Sequence, residues 1–467
     1  MNLTEQLIAS AERWPDKAAF VSDTGTVTYA QLRATVEVLA EKLRGLKLAA
    51  GSRVGLCFPN SVDYVALTYA LWQVNATVVP VPTECPPEEL SEIADTMHLS
   101  VVLSERALSI GQSEPLAEGI FATHTGERTE SIVPLSNVAF IRFTSGTTNA
   151  RKGVVLCHET IAARVVAANR ALDIAERDTV VWCLPMAHHF LVTIVLYLRA
   201  GATVVLARHV TARPFLEAVN RWHGTVLYAA PFHYSLLARD ASGLQMSSVR
   251  LAVSTTCALP QDVAEAFFAR FGRPLVPALG IIELGLVAMN TEDPRGRWNS
   301  VGKPLPDFRV KIVAPDAEGC GELAVAGPGM CDAYAAPWQS RAELLRDGWF
   351  VTGDIARLDA EGFLYLLSRK TAVINLAGRK VFPEEIETVL DRHPGIRESR
   401  VFGRAHPHLG EVVEAEIVLR EGEAAIANLP HYCREHLASY KIPTRFHIVP
   451  SVPRTAVTGK IRRTVAG

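Results

Sequence analysis

The sequence predicts an α/β protein with a large N-terminal α/β domain that includes a β-rich subdomain, followed by a small C-terminal α+β domain. Three observations carry this prediction. Helical and strand patterns alternate through the first part of the chain, strand patterns dominate after about residue 299, and the remaining residues mix both. The chain has 467 residues, of which 49% are hydrophobic and 21% charged, so it can bury a large core. We place the two domains at residues 1–369 and 370–467.

The first third of the chain predicts parallel strands separated by helices. Thr28 and Gln31 have the spacing of a capping box and precede apolar residues at helical intervals. The apolar run at residues 54–58 predicts a strand, Ser61 can cap a second helix, and residues 78–81 predict the next strand. This strand–helix–strand order is typical of parallel α/β sheets.

The middle of the chain repeats this alternation. Further strands are predicted at residues 180–184, 203–206, 225–228 and 250–254. Residues 179–198 contain no Asp, Glu, Lys or Arg, but Pro185 and two histidines interrupt them. A membrane-spanning helix would bury those polar groups in lipid, so we predict a buried strand, a loop and a core helix instead.

The later residues predict hairpins and then a mixed fold. Strands are predicted at residues 309–313, 322–326 and 362–367, with Gly and Pro between them. Pro383 then opens a helix with two glutamates in its first turn, and residues 412–419 predict another strand.

Composition and cysteine spacing exclude several classes of function. Lys plus Arg total 47 and Asp plus Glu total 49, and the net charge of −2 gives no bulk attraction to nucleic acid, so we expect no nucleic-acid partner. The eight cysteines form no CxxC pair and are expected to be mostly buried, reduced thiols. The N-terminal residues lack a basic segment followed by an apolar one, so we expect no signal peptide, no membrane span and a cytoplasmic protein.

The segment FTSGTTNARKG, residues 143–153, has the parts of a nucleotide phosphate clamp. Glycine lets main-chain N–H groups face an anion, hydroxyls can donate to phosphate oxygens, and a lysine supplies positive charge. The candidates for phosphate binding are Thr144, Ser145, Gly146, Thr147, Thr148 and Lys152. The loop is not a Walker A motif, because Lys152 is followed by glycine and a strand. By composition alone, a solvated Ser/Thr/Gly turn explains the segment equally well.

The same loop resembles the [YF]TSGTTGxPKG loop of the adenylate-forming superfamily, which includes acyl-CoA synthetases, adenylation domains of peptide synthetases and firefly luciferase. Four further segments resemble that family's motifs in the family's order, so the likeness spans most of the chain. They are LPMAHHF at 184–190, LGIIE at 279–283, the run from 347 to 387, and PRTAVTGKIRR at 453–463. Within the family, the chain is most similar to standalone acyl- and aryl-acid ligases.

The resemblance implies that ATP and Mg²⁺ bind to residues of these motifs. Glu283, in the motif that retains Gly280, corresponds to the residue that holds Mg²⁺, and Asp354 and Arg369 correspond to ribose-binding residues. Lys460 corresponds to the cation that bridges the carboxylate oxygen and the α-phosphate, where a fixed ammonium stabilises the developing negative charge. Taken alone, Asp354 would be a turn residue and Lys460 a solvated lysine.

The resemblance also implies an acid substrate and a thiol acceptor. His188 corresponds to a residue near the acyl pocket, with His189 beside it, and Gly378 lies in a loop that would face the thiol's tunnel. The acceptor is coenzyme A or the phosphopantetheine of a standalone acyl carrier protein. The AHHF stretch resembles the AHN[FY] of aryl-acid-activating members and favours an aromatic or hydroxylated acid, with a fatty acid as the alternative. No Asp lies between Asp178 and Asp240 to pair a substrate ammonium, so an α-amino acid is disfavoured.

Several positions depart from the family pattern. Asn149 and Arg151 replace the usual Gly and Pro of the phosphate loop, Leu279 replaces an aromatic residue, and Ile282 replaces a threonine. Two other functions therefore stay open: adenylation that leads to an amide, and a family member that binds nucleotide without catalysis.

The resemblance further implies that the small domain, residues 370–467, is mobile and reorients between two reaction steps. If the chain works in this way, Lys152, Glu283 and Asp354 line a common crevice that holds the nucleotide.

Overall fold

The computed structural model describes most of the chain. The described residues are 2–126, 135–143, 152–207, 211–376, 379–406, 410–420, 429–454 and 461. They divide into two compact units. The first contains the described residues up to 143, with residues 152–309 and 326–350, and the second contains residues 310–325 and the described residues from 351 onward.

The described residues form thirteen α-helices. They are α1 (Thr4–Arg13), α2 (Tyr29–Gly45), α3 (Val62–Gln73), α4 (Pro87–Met97), α5 (His158–Leu172), α6 (Met186–His189), α7 (Ile194–Arg199), α8 (Ala212–Arg221), α9 (Pro231–Ala238), α10 (Gln261–Phe271), α11 (Arg341–Leu344), α12 (Pro383–Leu390) and α13 (Leu429–His436). Short 3₁₀ turns lie at Phe190–Val192, Lys370–Ala372 and Ser439–Lys441.

The strands of the same described ranges are short, and most have between three and six residues. They are β1 (Ala18–Ser22), β2 (Gly25–Thr28), β3 (Arg53–Cys57), β4 (Thr77–Pro80), β5 (Val101–Ser104), β6 (Gln112–Ala117), β7 (Ile120–His124), β8 (Val138–Phe143), β9 (Gly153–Cys157), β10 (Thr179–Trp182), β11 (Thr203–Leu206), β12 (Val226–Ala229), β13 (Leu251–Ser254), β14 (Val276–Ile281), β15 (Gly285–Met289), β16 (Lys303–Pro304), β17 (Arg309–Val313), β18 (Gly321–Ala326), β19 (Ala333–Ala335), β20 (Trp338–Ser340), β21 (Leu345–Arg346), β22 (Trp349–Leu358), β23 (Leu364–Arg369), β24 (Ile374–Leu376), β25 (Arg379–Val381), β26 (Ile396–His406), β27 (Gly410–Leu419) and β28 (Arg445–Ile448).

The first unit is built on two nine-stranded sheets. One has the order β16-β15-β14-β13-β12-β10-β11-β1-β2, and its strands from β14 to β1 are parallel. The other has the order β20-β19-β9-β8-β4-β3-β5-β7-β6, with β8, β4, β3 and β5 parallel and antiparallel strands at both ends. Parallel strands joined through helices are the arrangement that the alternating sequence pattern predicted.

The predicted helix starts are present. The Thr28 hydroxyl accepts the N–H of Gln31 at 3.2 Å, and the Gln31 side chain accepts the N–H of Thr28 at 2.9 Å, which completes the capping box of α2. The Ser61 hydroxyl accepts the N–H of Tyr64 at 3.1 Å at the start of α3. These bonds satisfy N–H groups that have no partner within the helix.

Helix α3 lies against β8, the strand that ends at Phe143. Every residue from Tyr64 to Trp72 is buried, and the Trp72 indole N–H donates to the carbonyl of Ala139 on β8 at 2.8 Å. A helix that is apolar on all sides is typical of a protein core, and the Trp72 hydrogen bond fixes α3 against β8.

The segment at 179–198 forms a strand, a loop and a core helix, as predicted. Strand β10 is followed by a loop, α6, a 3₁₀ turn and α7, whose residues Ile194–Leu198 are buried. Within the part of the chain that the structure describes, no helix combines the length and the apolar character that crossing a membrane requires.

The second unit contains two smaller groups of strands. Strand β18 lies between β17 and β22, and β23 pairs antiparallel with β22. A second sheet has the order β25-β24-β27-β26, with β28 parallel to β27. Ile386 and Leu390 of α12 and Cys433 of α13 pack into its core, so the helix predicted from Pro383 has the expected place.

The cysteines follow the prediction of reduced, mostly buried thiols. All eight are free, and the buried ones are Cys157, Cys183, Cys320, Cys331 and Cys433. Burial raises the pKa of the Cys183, Cys157 and Cys331 thiols to about 12, which keeps them protonated and unreactive at neutral pH.

We predict that His158 makes stability depend on pH. Its side chain is buried, Nδ1 accepts the N–H of Leu3 at 3.1 Å, and burial lowers its pKa from 6.5 to about 4. The unfolded chain therefore binds more protons than the folded chain between those two values, and this contribution to stability is lost as the pH falls through that window. The unfolding free energy of both proteins should fall from pH 7 to pH 4. In His158→Asn the fall should be smaller than in the unmodified protein by roughly 3 kcal/mol, as measured by urea denaturation at the two pH values.

His223→Asn is the matched control, because His223 is exposed and should change the pH dependence little. Equal pH dependence of the His158→Asn variant and the unmodified protein would contradict the prediction.

Candidate active site

Seven of the predicted site residues lie outside the described residues. They are Thr144, Ser145, Gly146, Thr147, Thr148, Gly378 and Lys460. The other candidates are described, and they fall into three local arrangements.

The first arrangement joins Lys152 to Glu283 through Tyr334. The Lys152 Nζ lies 4.8 Å from the centre of the Tyr334 ring, and the Tyr334 hydroxyl donates to Glu283 Oε1 at 2.7 Å. Strand β19 pairs with β9 so that Tyr334 faces Val154, which places the tyrosine ring next to Lys152 at the start of β9. The structure thus brings an ammonium to the ring and a carboxylate to the hydroxyl of one phenol.

The turn that carries Glu283 is held by a buried arginine. Arg164 of α5 donates from Nη1 to the carbonyl of Ile282 at 2.8 Å, from Nη2 to that of Glu283 at 2.6 Å, and from Nε to that of Gly329 at 2.5 Å. The N–H of Cys331 adds a bond of 2.7 Å to the same Glu283 carbonyl. Three backbone carbonyls therefore share one guanidinium, which fixes the turn between β14 and β15.

Arg164 stays charged despite its burial. Desolvation lowers its pKa to about 10, and nearby negative groups including Glu283 oppose that effect. At neutral pH it is still a cation, and hydrogen bonds from a charged donor are stronger than neutral ones. Gly329, with φ of 71°, leaves room for the arginine stem where a Cβ atom would collide with it.

Gly280 lies on β14 and is exposed, whereas its neighbour Leu279 is buried. Among the described residues, a Cβ atom at Gly280 would meet only the carbonyl of Gly285, at 3.9 Å. Packing against the described part of the chain therefore does not require glycine at this position.

The second arrangement is the loop that carries His188 and His189. The Asn60 side chain donates to the Leu184 carbonyl at 2.8 Å and accepts the N–H of Met186 at 2.7 Å, which ties this loop to the residues before α3. Desolvation, and then the positive charge of Arg142, lower the pKa of His188 to about 4, so its imidazole is neutral at pH 7.

The neighbouring histidine, His189, contacts the aromatic ring of Trp182. Its ring is 6.4 Å from that of Trp182 in an edge-on contact, and its carbonyl accepts a hydrogen bond from the Thr193 hydroxyl. The two histidines therefore have different surroundings, although they are adjacent in sequence.

The third arrangement, in the second unit, pairs Asp354 with Arg369. The Arg369 Nε lies 2.8 Å from Asp354 Oδ1, and the two residues face each other across the antiparallel pair β22–β23. Arg369 also donates to the Thr352 carbonyl at 3.1 Å, and the Thr352 hydroxyl accepts the N–H of Asp354 at 3.0 Å. Gly353, with φ of 76°, gives the turn its left-handed conformation.

Sequence analysis missed Arg164 and Tyr334. Arg164 did carry a signal, because it lies between Ile161 and Ala168 on the buried face of α5, where an unpaired charge is costly. Tyr334 carried none, since it reaches Lys152 only through the pairing of β19 with β9.

The sequence matches known families over most of its length. It matches the AMP-binding enzyme family over residues 7–335 and the AMP-binding enzyme C-terminal domain over residues 385–460. A sulfoacetate–CoA ligase of Cupriavidus necator is 28% identical over 99% of this chain and 96% of that ligase. A 2-succinylbenzoate–CoA ligase of Bacillus subtilis is 27% identical over 98% of this chain and 97% of that ligase.

A solved structure matches equally well. The o-succinylbenzoate CoA synthetase of Bacillus subtilis, in complex with its acyl-adenylate intermediate, has a TM-score of 0.86 and 26% identity, covering 98% of this chain and 96% of that one. Its complex with ATP and magnesium ion also has a TM-score of 0.86 at 26% identity, covering 98% of each chain. These matches confirm the predicted resemblance and fold class.

We predict that Arg164→Met lowers the free energy of unfolding by about 3 kcal/mol, because the carbonyls of Ile282 and Gly329 lose their charged donor and that of Glu283 keeps only the N–H of Cys331. Chemical denaturation measures the effect. Arg170→Met on the same helix is the control, since Arg170 makes an exposed ion pair with Asp307 at 2.8 Å and should contribute less than about 1 kcal/mol. Equal losses in the two variants would show that the three carbonyl contacts do not stabilise the fold.

Proposed function

Since this chain belongs to the AMP-binding enzyme family, we propose that it is an AMP-forming acid–thiol ligase that joins a small carboxylic acid to coenzyme A through an acyl-adenylate. The ligases of Cupriavidus necator and Bacillus subtilis match nearly its whole length and are named as CoA ligases. The observation that carries the assignment is the Lys152–Tyr334–Glu283 arrangement, which holds a cation and a carboxylate at the base of the segment that resembles a phosphate loop.

Lys152 is proposed to bind the phosphates of ATP. It follows the hydroxyl and glycine residues from Thr144 to Thr148 after Asn149, Ala150 and Arg151, and we propose that those hydroxyl and glycine residues surround the same phosphates. The Tyr334 ring beneath its ammonium keeps the lysine in place through a cation–π contact without neutralising its charge. A cation held in this way needs little rearrangement when an anion binds.

Glu283 is proposed to hold Mg²⁺, and its surroundings fit that ion. Its carboxylate is a hard oxygen donor, fixed by Tyr334 on one oxygen and by the Arg164-bound turn behind it. The described residues contain no group of three or more His, Cys, Asp or Glu side chains that could hold a metal, so Glu283 is not proposed as part of such a group. Mg²⁺ commonly binds to one or two carboxylates together with substrate phosphates and would neutralise charge on those phosphates.

Asp354 and Arg369 are proposed to bind the ribose of ATP. The guanidinium holds one carboxylate oxygen at 2.8 Å and so fixes the carboxylate that is proposed to accept the ribose hydroxyl protons. Because the Asp354 side chain is only 14% exposed, its rotamer is restricted before the nucleotide binds. Gly280, which no packing contact with the described residues requires, would leave space beside the nucleotide.

The proposed reaction has two steps. An oxygen of the acid's carboxylate attacks the α-phosphorus of ATP, and the bond from that phosphorus to the pyrophosphate oxygen breaks. A thiol sulfur then attacks the acyl carbon, the carbon's bond to the AMP oxygen breaks, and the thiol proton is lost. Lys460 is proposed to stabilise the negative charge of the first step, and Gly378 to line the path of the thiol in the second.

His188 is proposed to line the acid pocket as a neutral side chain. With its pKa lowered to about 4, it can donate or accept one hydrogen bond at neutral pH without adding charge beside Arg142. His189 would contribute to the same pocket from the other side of the loop.

The substrate, the acceptor and the domain movement are finer parts of the proposal. The two relatives are named for different acids, so their names do not choose the acid. Coenzyme A is the acceptor of both by name, and a carrier-protein phosphopantetheine is the alternative. We propose that residues 370–467 act as a small domain that moves relative to residues 1–369 between the steps.

We predict that the enzyme exchanges labelled pyrophosphate into ATP with at least one acid of a panel, and that the same acid then forms a thioester with coenzyme A. The panel is repeated with an acyl carrier protein as acceptor. Lys460→Ala should lower the exchange rate by about 100-fold or more, because a charge-stabilising group is removed from the attacked phosphate.

Other outcomes of this experiment identify the alternatives. Exchange without thioester formation in either thiol would favour adenylation for amide formation. ATP binding without exchange for any acid would favour a non-catalytic nucleotide-binding protein and contradict the proposal.

We predict that Asp354→Asn raises the KM for ATP by about 10-fold or more, because a charged acceptor of the ribose hydroxyls becomes neutral. Its unfolding free energy should fall by less than about 1 kcal/mol, since Arg369 is exposed. Glu322→Gln is the matched control: it breaks the Glu322–Lys370 ion pair of 2.9 Å in the same unit and should leave the KM unchanged. If both variants raise the KM equally, Asp354 has no specific role in nucleotide binding.

A further inference from the structure

Two arginines of the first unit share one charge cluster but have different bonding. Arg164 uses Nε and both terminal nitrogens on backbone carbonyls. Arg142, at the end of β8, has a buried Nε with no hydrogen-bond partner among the residues that the structure describes. A buried donor without a partner costs free energy, which a ligand with an acceptor would recover.

Arg142 is a partly buried cation whose Nε is shielded from solvent. Its side chain keeps partial accessibility, and yet the surrounding protein desolvates it enough to lower its pKa to about 10, so it remains a cation at neutral pH. Its charge interacts with Glu283 and Tyr64, and it lowers the pKa of His188. The Tyr64 hydroxyl is also buried and has no hydrogen-bond partner within the described part of the chain.

Three elements meet around this cation. Asn60 ties the loop of His188 to the residues before α3, and the Tyr64 ring of α3 lies 5.5 Å from that of Phe190 after the loop. Trp72 bonds the other half of α3 to β8, the strand that ends with Arg142 and Phe143. The cluster therefore groups Arg142 with the residues proposed to line the acid pocket.

We propose that Arg142 binds a second, non-reacting anionic group of the acid, so that the enzyme selects substrates with two anionic groups. The inference rests on the proposed acid-ligase function. It restricts the aromatic acids to those with another acidic group, and it disfavours simple fatty acids.

The cluster has an excess of positive charge that such a substrate would balance. The charged groups around Arg142 and Arg164 are the carboxylates of Glu283 and Asp332 and the further cation Arg341, so three arginines face two carboxylates, while His188 is neutral at pH 7. A planar guanidinium matches a carboxylate or a sulfonate with two parallel hydrogen bonds. Pairing with the reacting carboxylate would instead stabilise the ground state more than the transition state and slow the attack on phosphorus.

The test compares acids that differ only in the second anionic group. The pairs are succinate with butyrate, glutarate with pentanoate, and terephthalate with benzoate. Pyrophosphate exchange gives kcat/KM for each acid and the KM for ATP. With the unmodified enzyme, we expect the best dianionic acid to exceed its monoanionic partner by about 100-fold, since an empty pocket would leave a buried cation unpaired.

Two variants of Arg142 locate the effect. Arg142→Met, of similar length and without charge, should lower kcat/KM for the best dianionic acid by about 100-fold and change the monoanionic partner by less than about 3-fold. Arg142→Lys should lower kcat/KM for the same dianionic acid by about 10-fold, because it keeps the charge but not the planar pair of donors. If the Met variant does not fold, the Lys variant is compared with the unmodified enzyme instead. Arg177→Met is the control, because Arg177 is 60% exposed in an ion pair with Asp173.

Three results would overturn the inference. A preference of the unmodified enzyme for monoanionic acids would exclude a second anion. If Arg142→Met lowers kcat/KM equally for both acids of a pair, Arg142 binds the reacting carboxylate. A higher KM for ATP with every acid would assign it to the nucleotide.

Calorimetric titration with glutarate and pentanoate separates failure of this inference from failure of the proposed function. Suppose that no acid supports exchange, but that glutarate binds and Arg142→Met weakens its binding by about 10-fold or more. This result would support the anion site without the ligase activity. No difference between the two acids, or between the enzyme and the variant, would overturn the anion site.

Discussion

The first unit's site depends on one buried guanidinium. Arg164 compensates its own desolvation by hydrogen-bonding three backbone carbonyls, two of them in the turn that carries Glu283. Because these acceptors belong to the backbone, the turn is fixed whatever side chains it presents. That independence explains how Ile282 can stand where the family usually has a threonine without the carboxylate beside it losing its position.

The sequence predicted well those features that neighbouring residues determine. The capping box of Thr28 and Gln31, the cap at Ser61 and the helix at Pro383 each depend on residues within one turn, so a local pattern contains the whole cause. The order of strands and helices followed from hydrophobic periodicity in the same way. The family resemblance supplied the candidate residues of the site, although it did not supply their neighbours.

What the sequence could not provide were contacts made by pairing and packing over long distances. Tyr334 reaches Lys152 through the pairing of β19 with β9, and Asp354 faces Arg369 through the register of β22 and β23. Arg142 differs from Arg164 only in what surrounds it, and nothing in the local sequence distinguishes a guanidinium with carbonyl partners from one without. Such differences decide which polar groups are committed to the fold and which remain available to a ligand.

The paired hydrogen bonds of Asn60 have an evolutionary consequence. They join the loop from Leu184 to Met186 to Asn60, just before α3, so a shift of α3 also shifts this loop. Substitutions in the packing of α3 can therefore move His188, which is proposed to line the acid pocket. We expect acid preference to change through this supporting helix, while Lys152 and Glu283, which are proposed to bind the nucleotide and its metal, keep their separate contact with Tyr334.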